Sequence, residues 1–67
     1  MGKTSDRQVV EFIREFRDER GYCPTFREVA SGVGVALNSV AVRLERMRRE
    51  GLVDYADKQP RTLRELV

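Results

Sequence analysis

The chain has 67 residues, the length of one small domain, and we expect residues 1–67 to form that single domain. It contains no histidine and one cysteine, Cys23, which excludes zinc-finger ligand sets, disulfide frameworks and Cys–His nucleophile pairs. The net charge of +2 lies in residues 31–67, which hold seven basic and five acidic side chains against six of each in residues 1–30.

A first helix is predicted over about residues 6–20. Ser5 and Gln8 have the spacing of a capping box, in which each residue's side chain binds the other's backbone N–H. Apolar side chains then recur at helical spacing, which indicates one buried face. These are Val9, Phe12, Ile13 and Phe16.

A second, short helix is predicted from Phe26 to about Ser31. Thr25 and Glu28 form another capping box at its start, and Gly32 is expected to end it. The following turn contains Gly34, for which we predict a positive φ. A short helix followed by a glycine turn is typical of the first half of a helix-turn-helix unit.

A third helix is predicted from Leu37 or Ser39 to Glu50. Its N-cap is either Ala36, a poor capping residue, or Asn38, a good one that starts the helix two residues later. One stripe of this helix is expected to face the core, namely Val40, Leu44 and Met47. The opposite side presents Leu37, Asn38, Ser39, Val42, Arg43 and Arg46.

Two short strands are predicted over residues 52–55 and 62–66, joined by a polar loop. A hairpin this small is stable only when it packs on other elements, here the helices. The predicted fold class is therefore α+β and mainly α. It is a winged helix-turn-helix, with three helices followed by a two-stranded antiparallel β-hairpin wing.

The third helix has the character of a helix that lies in the major groove of DNA, with one apolar face and one polar, basic face. Base contacts are expected from Asn38, Ser39, Val42 and Arg43. An asparagine can bond both N6 and N7 of adenine, an arginine can bond guanine, and a valine can pack on a thymine methyl. The alternative for Asn38 is a purely capping role, and for Val42 an ordinary half-exposed position.

Phosphate contacts are expected from the remaining basic side chains near this helix and on the wing. Arginine offers a planar fork that suits phosphate, and neutralised phosphates release counterions. The alternative is that these side chains are simply solvated. The predicted phosphate-contacting residues are Arg27, Arg46, Arg49, Lys58 and Arg61.

Residues 5–66 resemble the N-terminal DNA-binding domain of LexA-type SOS repressors. Residues 21–29, GYCPTFREV, are similar to the segment that enters the second helix in that family. Residues 51–53, GLV, resemble its strand start, and residues 59–61, QPR, resemble the end of its wing. The resemblance implies a winged helix-turn-helix that binds DNA, and it implies a base-contacting role for Asn38.

Three departures from the family pattern argue against recognition of the usual SOS operator. The turn before the third helix is one residue shorter, Ala36 replaces a frequent serine cap, and Ala41 and Val42 replace acidic residues. The self-cleaving Ser–Lys peptidase domain of that family is not within these 67 residues. We therefore expect either a piece of a longer protein or a small stand-alone regulator.

The predicted function is sequence-specific binding of double-stranded DNA as a transcriptional repressor or other regulator. The alternative is a winged helix that docks on a protein partner, which the low net charge allows. Catalysis is not expected, because no nucleophile has a base beside it and no metal-ligand cluster or phosphate-binding loop is present. We also expect no cofactor, small-molecule ligand or membrane association, a cytoplasmic location, and a monomer or a weak dimer that assembles on DNA.

Overall fold

The computed structural model describes residues 5–67 and contains three helices followed by a two-stranded antiparallel sheet. Helix α1 spans Asp6–Arg20, α2 spans Phe26–Val33 and α3 spans Leu37–Arg49. Strand β1 spans Val53–Asp54 and β2 spans Arg64–Glu65. The predicted order of elements and the mainly helical fold class are confirmed.

Both predicted capping boxes are present, so α1 and α2 begin where the sequence indicates. The Ser5 hydroxyl accepts the Gln8 N–H at 3.2 Å, and the Gln8 side chain accepts the Ser5 N–H at 2.9 Å. At α2 the matching distances between Thr25 and Glu28 are 3.1 and 2.8 Å. Each box pairs two N–H groups that a helix start otherwise leaves without partners.

The predicted end of α2 at Gly32 is wrong, because the helix continues to Val33. Gly34 ends it instead, with a φ of +76° that confirms the predicted positive value. Gly32 has a different role: a Cβ atom there would overlap the ring of Phe12. The absence of a side chain thus allows α1 and α2 to approach closely inside a continuous helix.

Helix α3 begins at Leu37, with Ala36 as its N-cap, so the alternative in which Asn38 caps the helix is wrong. Ala36 supplies no side-chain acceptor, and only its carbonyl joins the helix, accepting the Val40 N–H at 3.1 Å. Asn38 and Ser39 therefore lie within the first turn of α3. Their side chains are not used to cap it.

The strands of the wing are shorter than predicted, with two residues each. Val53 pairs with Glu65 and Asp54 with Arg64. The ends of the predicted strands belong to the loop instead. There the Thr62 hydroxyl accepts the Ala56 N–H and donates to the Gln59 carbonyl, both at 2.9 Å. These side-chain bonds compete with strand pairing at the ends of the loop.

The core lies between the three helices and the base of the wing. The predicted stripe of α3 faces it, since Val40, Leu44 and Met47 are fully buried. The other fully buried apolar side chains come from α1, α2, the segment before α2 and the wing, namely Val9, Ile13, Pro24, Val29, Val53 and Leu63. No helix within residues 5–67 is long and apolar enough to cross a membrane.

Candidate nucleic-acid interface

The side of α3 that faces away from the core is not covered by the rest of the described chain. Asn38, Ser39 and Arg49 are exposed there, and Val42 is 69% exposed. Val35, in the turn before the helix, and Val42 both border this outer surface, which therefore begins at the helix-turn-helix corner. A duplex can therefore reach the first two turns of α3.

The four residues predicted to contact bases lie together on this surface. Asn38, Ser39, Val42 and Arg43 line one shallow depression. Val35 and Arg46 complete its lining. The depression thus combines amide, hydroxyl, aliphatic and guanidinium groups, which are the chemical types that read base edges.

Arg43 and Arg46 lie on the flank of α3 that faces α1, where both bind the carboxylate of Asp6. The Arg43 Nη1 donates to Asp6 Oδ1 at 2.6 Å. Arg46 donates to both carboxylate oxygens, at 2.7 and 3.1 Å, and also to Glu50 at 2.9 Å. The hydrogen bond from Arg46 lowers the pKa of Asp6, the bond from Arg43 adds to this effect, and partial burial opposes both.

The opposite flank of α3 faces the wing and carries Arg48, which the sequence analysis did not single out. Its Nη1 donates to Asp57 at 3.0 Å, and its guanidinium lies 4.5 Å from the centre of the Tyr55 ring. Arg48 therefore connects the last turns of α3 to the wing. Its bonds with Tyr55 and Asp57 raise the pKa of its guanidinium.

Arg61 connects the wing to the start of α2. Its guanidinium binds both carboxylate oxygens of Glu28, at 3.0 and 3.2 Å, and the carbonyl of Cys23 at 3.1 Å. It also lies 4.5 Å from the centre of the Tyr22 ring. The bond from Arg61 lowers the pKa of Glu28, with the Thr25 backbone as the next cause. Arg61 therefore orients the wing relative to the start of α2, in addition to its predicted phosphate contact.

The other predicted phosphate contacts are exposed. Arg27 and Lys58 line the same cleft, which lies between the start of α2, Leu37 and the wing. Arg49 lies farther along α3, and its guanidinium is 3.9 Å from Glu45. The start of α2 therefore presents a basic side chain and the wing presents another across one cleft.

Sequence reasoning missed the carboxylates that pair with these arginines. Asp6 is 37 residues from Arg43, and Glu28 is 33 residues from Arg61. Pairs so far apart leave no periodic signal in one sequence. The sequence predicts only the capping role of Glu28, whose carboxylate also binds Arg61.

Comparison with known proteins decides the family. A family model described as the LexA DNA binding domain matches residues 1–62. The chain belongs to the LexA DNA-binding domain family. The predicted resemblance is confirmed, and with it DNA binding as the activity of this domain.

Within residues 5–67, no group of three or more His, Cys, Asp or Glu side chains is placed to hold a metal ion.

Several bacterial proteins named LexA repressor are similar to this chain. The one from Brevibacillus brevis is 38% identical over 66 residues, which are 94% of this chain and 32% of that protein. The one from Clostridium novyi is 37% identical over 57 residues, 84% of this chain and 28% of that protein. In Sorangium cellulosum the identity is 38% over 58 residues, 85% of this chain and 25% of that protein. The chain therefore spans about a third or less of the length of these relatives.

Proposed function

We propose that this domain binds double-stranded DNA sequence-specifically and acts as a transcriptional repressor, as its relatives' names suggest. Helix α3 lies in the major groove and the wing lies against the backbone. The observation that carries this proposal is the uncovered depression on α3, where base-reading side chains adjoin two arginines.

In this arrangement the first turns of α3 read bases. Asn38 bonds adenine, Val42 packs on a thymine methyl, and Ser39 bonds a base or a nearby phosphate. Arg43 reaches guanine from the edge of the depression. Each well-formed base contact contributes about 1–3 kcal/mol of discrimination.

The phosphate contacts flank this helix on both sides. Arg27 and Lys58 approach one strand from the cleft beside the wing, and Arg49 extends the contact along α3. Arg46 and Arg61 contribute after sharing their guanidinium groups between a carboxylate and a phosphate. The contacts of Arg27, Lys58 and Arg49 position the domain without reading sequence.

One domain of this kind covers one half-site, so useful affinity requires two copies on a repeated or palindromic site. We propose that residues 1–67 form a single domain that is monomeric, or weakly dimeric, until it assembles on DNA. It acts in the cytoplasm and uses no cofactor or small-molecule ligand.

The experiment is a selection of bound duplexes from a random pool at moderate salt, followed by affinity measurements over a range of salt concentrations. We expect one enriched motif and a log–log salt slope of about −0.9 for each phosphate contacted. A chain that enriches no motif, and whose binding to any partner ignores salt, is instead a protein-interaction module.

A further inference from the structure

Asp6 occupies an unexpected place for a carboxylate in a DNA-binding domain. It lies in the first turn of α1, yet its two oxygens bind two arginines of α3, at distances of 2.6, 2.7 and 3.1 Å. Its side chain is 32% exposed, and those of Arg43 and Arg46 are 30% and 41% exposed. The ion cluster therefore lies at the surface, where a duplex can reach it.

The charges of this cluster cancel. Arg43 and Arg46 carry two positive charges, and Asp6 and Glu50 carry two negative ones, all joined by hydrogen bonds of 3.1 Å or less. The flank of α3 that carries Arg43 and Arg46, part of the face predicted to be basic, is thus neutral in the free protein. A passing phosphate finds no net attraction there at long range.

We propose that Asp6 is a specificity-determining residue that competes with DNA phosphate for Arg43 and Arg46. This inference rests on the proposed binding of duplex DNA by α3. On mixed sequence the two arginines stay with the carboxylate, because a phosphate offers them only what Asp6 already supplies. At a cognate site the edge of a guanine offers Arg43 well-placed acceptors. The exchange of the Asp6 carboxylate for DNA then becomes favourable. Asp6 therefore lowers non-specific affinity more than specific affinity.

The test is the Asp6→Asn variant of the full chain, which keeps the side-chain shape and removes the charge. Its affinity for a mixed-sequence duplex is expected to rise about 3- to 10-fold at low salt, with a salt slope steeper by about 0.9. Affinity for the selected duplex is expected to change less, so the ratio of specific to non-specific affinity falls. Asp18→Asn is the matched control, since Asp18 is exposed on α1 and is in none of the described ion pairs.

A heparin column provides a second measurement that does not depend on base recognition. Heparin is a polyanion without base edges, and Asp6→Asn is expected to elute at higher salt than Asp18→Asn. Elution of both variants at the same salt overturns the competition. Equal weakening of Asp6→Asn binding to both duplexes also overturns the proposal, because it shows that Asp6 only supports the fold. If the wild-type chain binds no duplex at all, the proposed function fails, while the heparin comparison still decides the role of Asp6.

A third variant covers the case in which Asp6→Asn unfolds. Arg43→Gln combined with Glu50→Gln leaves Asp6 bonded to Arg46, so the contact between α1 and α3 persists and the cluster keeps zero net charge. Because Asp6 already holds Arg43 away from mixed-sequence phosphate, this double variant is expected to change mixed-duplex affinity less than 2-fold. A loss of 5-fold or more shows that Arg43 is free to bind phosphate and contradicts the proposal.

Discussion

Three arginines near the proposed DNA-binding surface are bonded to carboxylates, and this changes what each can do. Arg43 and Arg46 bind Asp6, and Arg61 binds Glu28. Ion pairs between partly exposed side chains stabilise a fold only weakly, because water and salt screen them. Their main effect here is to orient the guanidinium groups. A DNA phosphate must also compete with these carboxylates before it can bind the arginines. The count of basic residues alone therefore overstates the positive field of the domain.

Asn38 gives the sharpest residue-scale prediction about base reading. Since it does not cap α3, its amide is free of that task, and we expect Asn38→Ala to leave the helix start intact. The variant is expected to lose about 1–3 kcal/mol of affinity for the selected duplex and little for mixed duplex. Affinity measurements on both duplexes check this. An equal loss on both would assign Asn38 to a phosphate.

Acid sensitivity gives a second residue-scale prediction. The folded state lowers the pKa of Asp6 and of Glu28 below their ordinary values of 3.8 and 4.5. Such carboxylates contribute stability above their unfolded pKa, and the contribution is lost as pH falls through the folded pKa. The free energy of unfolding is therefore expected to decline below about pH 4.5, as measured by urea unfolding. A chain carrying Asp6→Asn and Glu28→Gln is expected to decline less, and an unchanged acid profile would contradict this.

At the scale of elements, local signals in the sequence predicted where α1 and α2 begin. The capping boxes at Ser5 and Thr25 use residues three positions apart, so one sequence contains all the information needed. The end of α2 depended on a distant contact, because Gly32 meets Phe12 of another helix. Wing length was missed for a different reason, since the Thr62 side chain bonds backbone groups three and six residues earlier, within the loop itself. Helical periodicity placed the proposed base-reading residues on one side of α3, whereas the pairing of Arg43 and Arg46 with Asp6 left no such signal.

Gly32 provides the element-scale prediction. Replacing a helical glycine by alanine ordinarily stabilises a helix by about 0.5–1 kcal/mol. Here the added methyl group overlaps the Phe12 ring, and overpacking costs about 1–3 kcal/mol. Gly32→Ala is therefore expected to lower the free energy of unfolding by about 1 kcal/mol. In a Phe12→Ala background the same change is expected to stabilise the chain, and the same sign in both backgrounds would contradict the close approach.

At the scale of the whole molecule, the described residues 5–67 measure 30 × 25 × 21 Å, which suits a module that reads one half-site. Half-sites one turn apart are separated by about 34–36 Å, so two copies fit side by side on one face of the duplex. In the proposed arrangement, α3 and the wing together reach the DNA. The family match confirms that the domain binds DNA, and we propose that α3 and the wing form the surface that does so.

The most direct test of that surface is an NMR titration of the ¹⁵N-labelled chain with its selected duplex. The account predicts the largest amide shifts at Asn38, Ser39 and Val42, with a smaller set at Lys58 on the wing. The amides of Asp18 and Glu19, on the exposed side of α1, are expected to remain unchanged. Shifts confined to α1, with the first turns of α3 unaffected, would contradict the claim that α3 enters the groove.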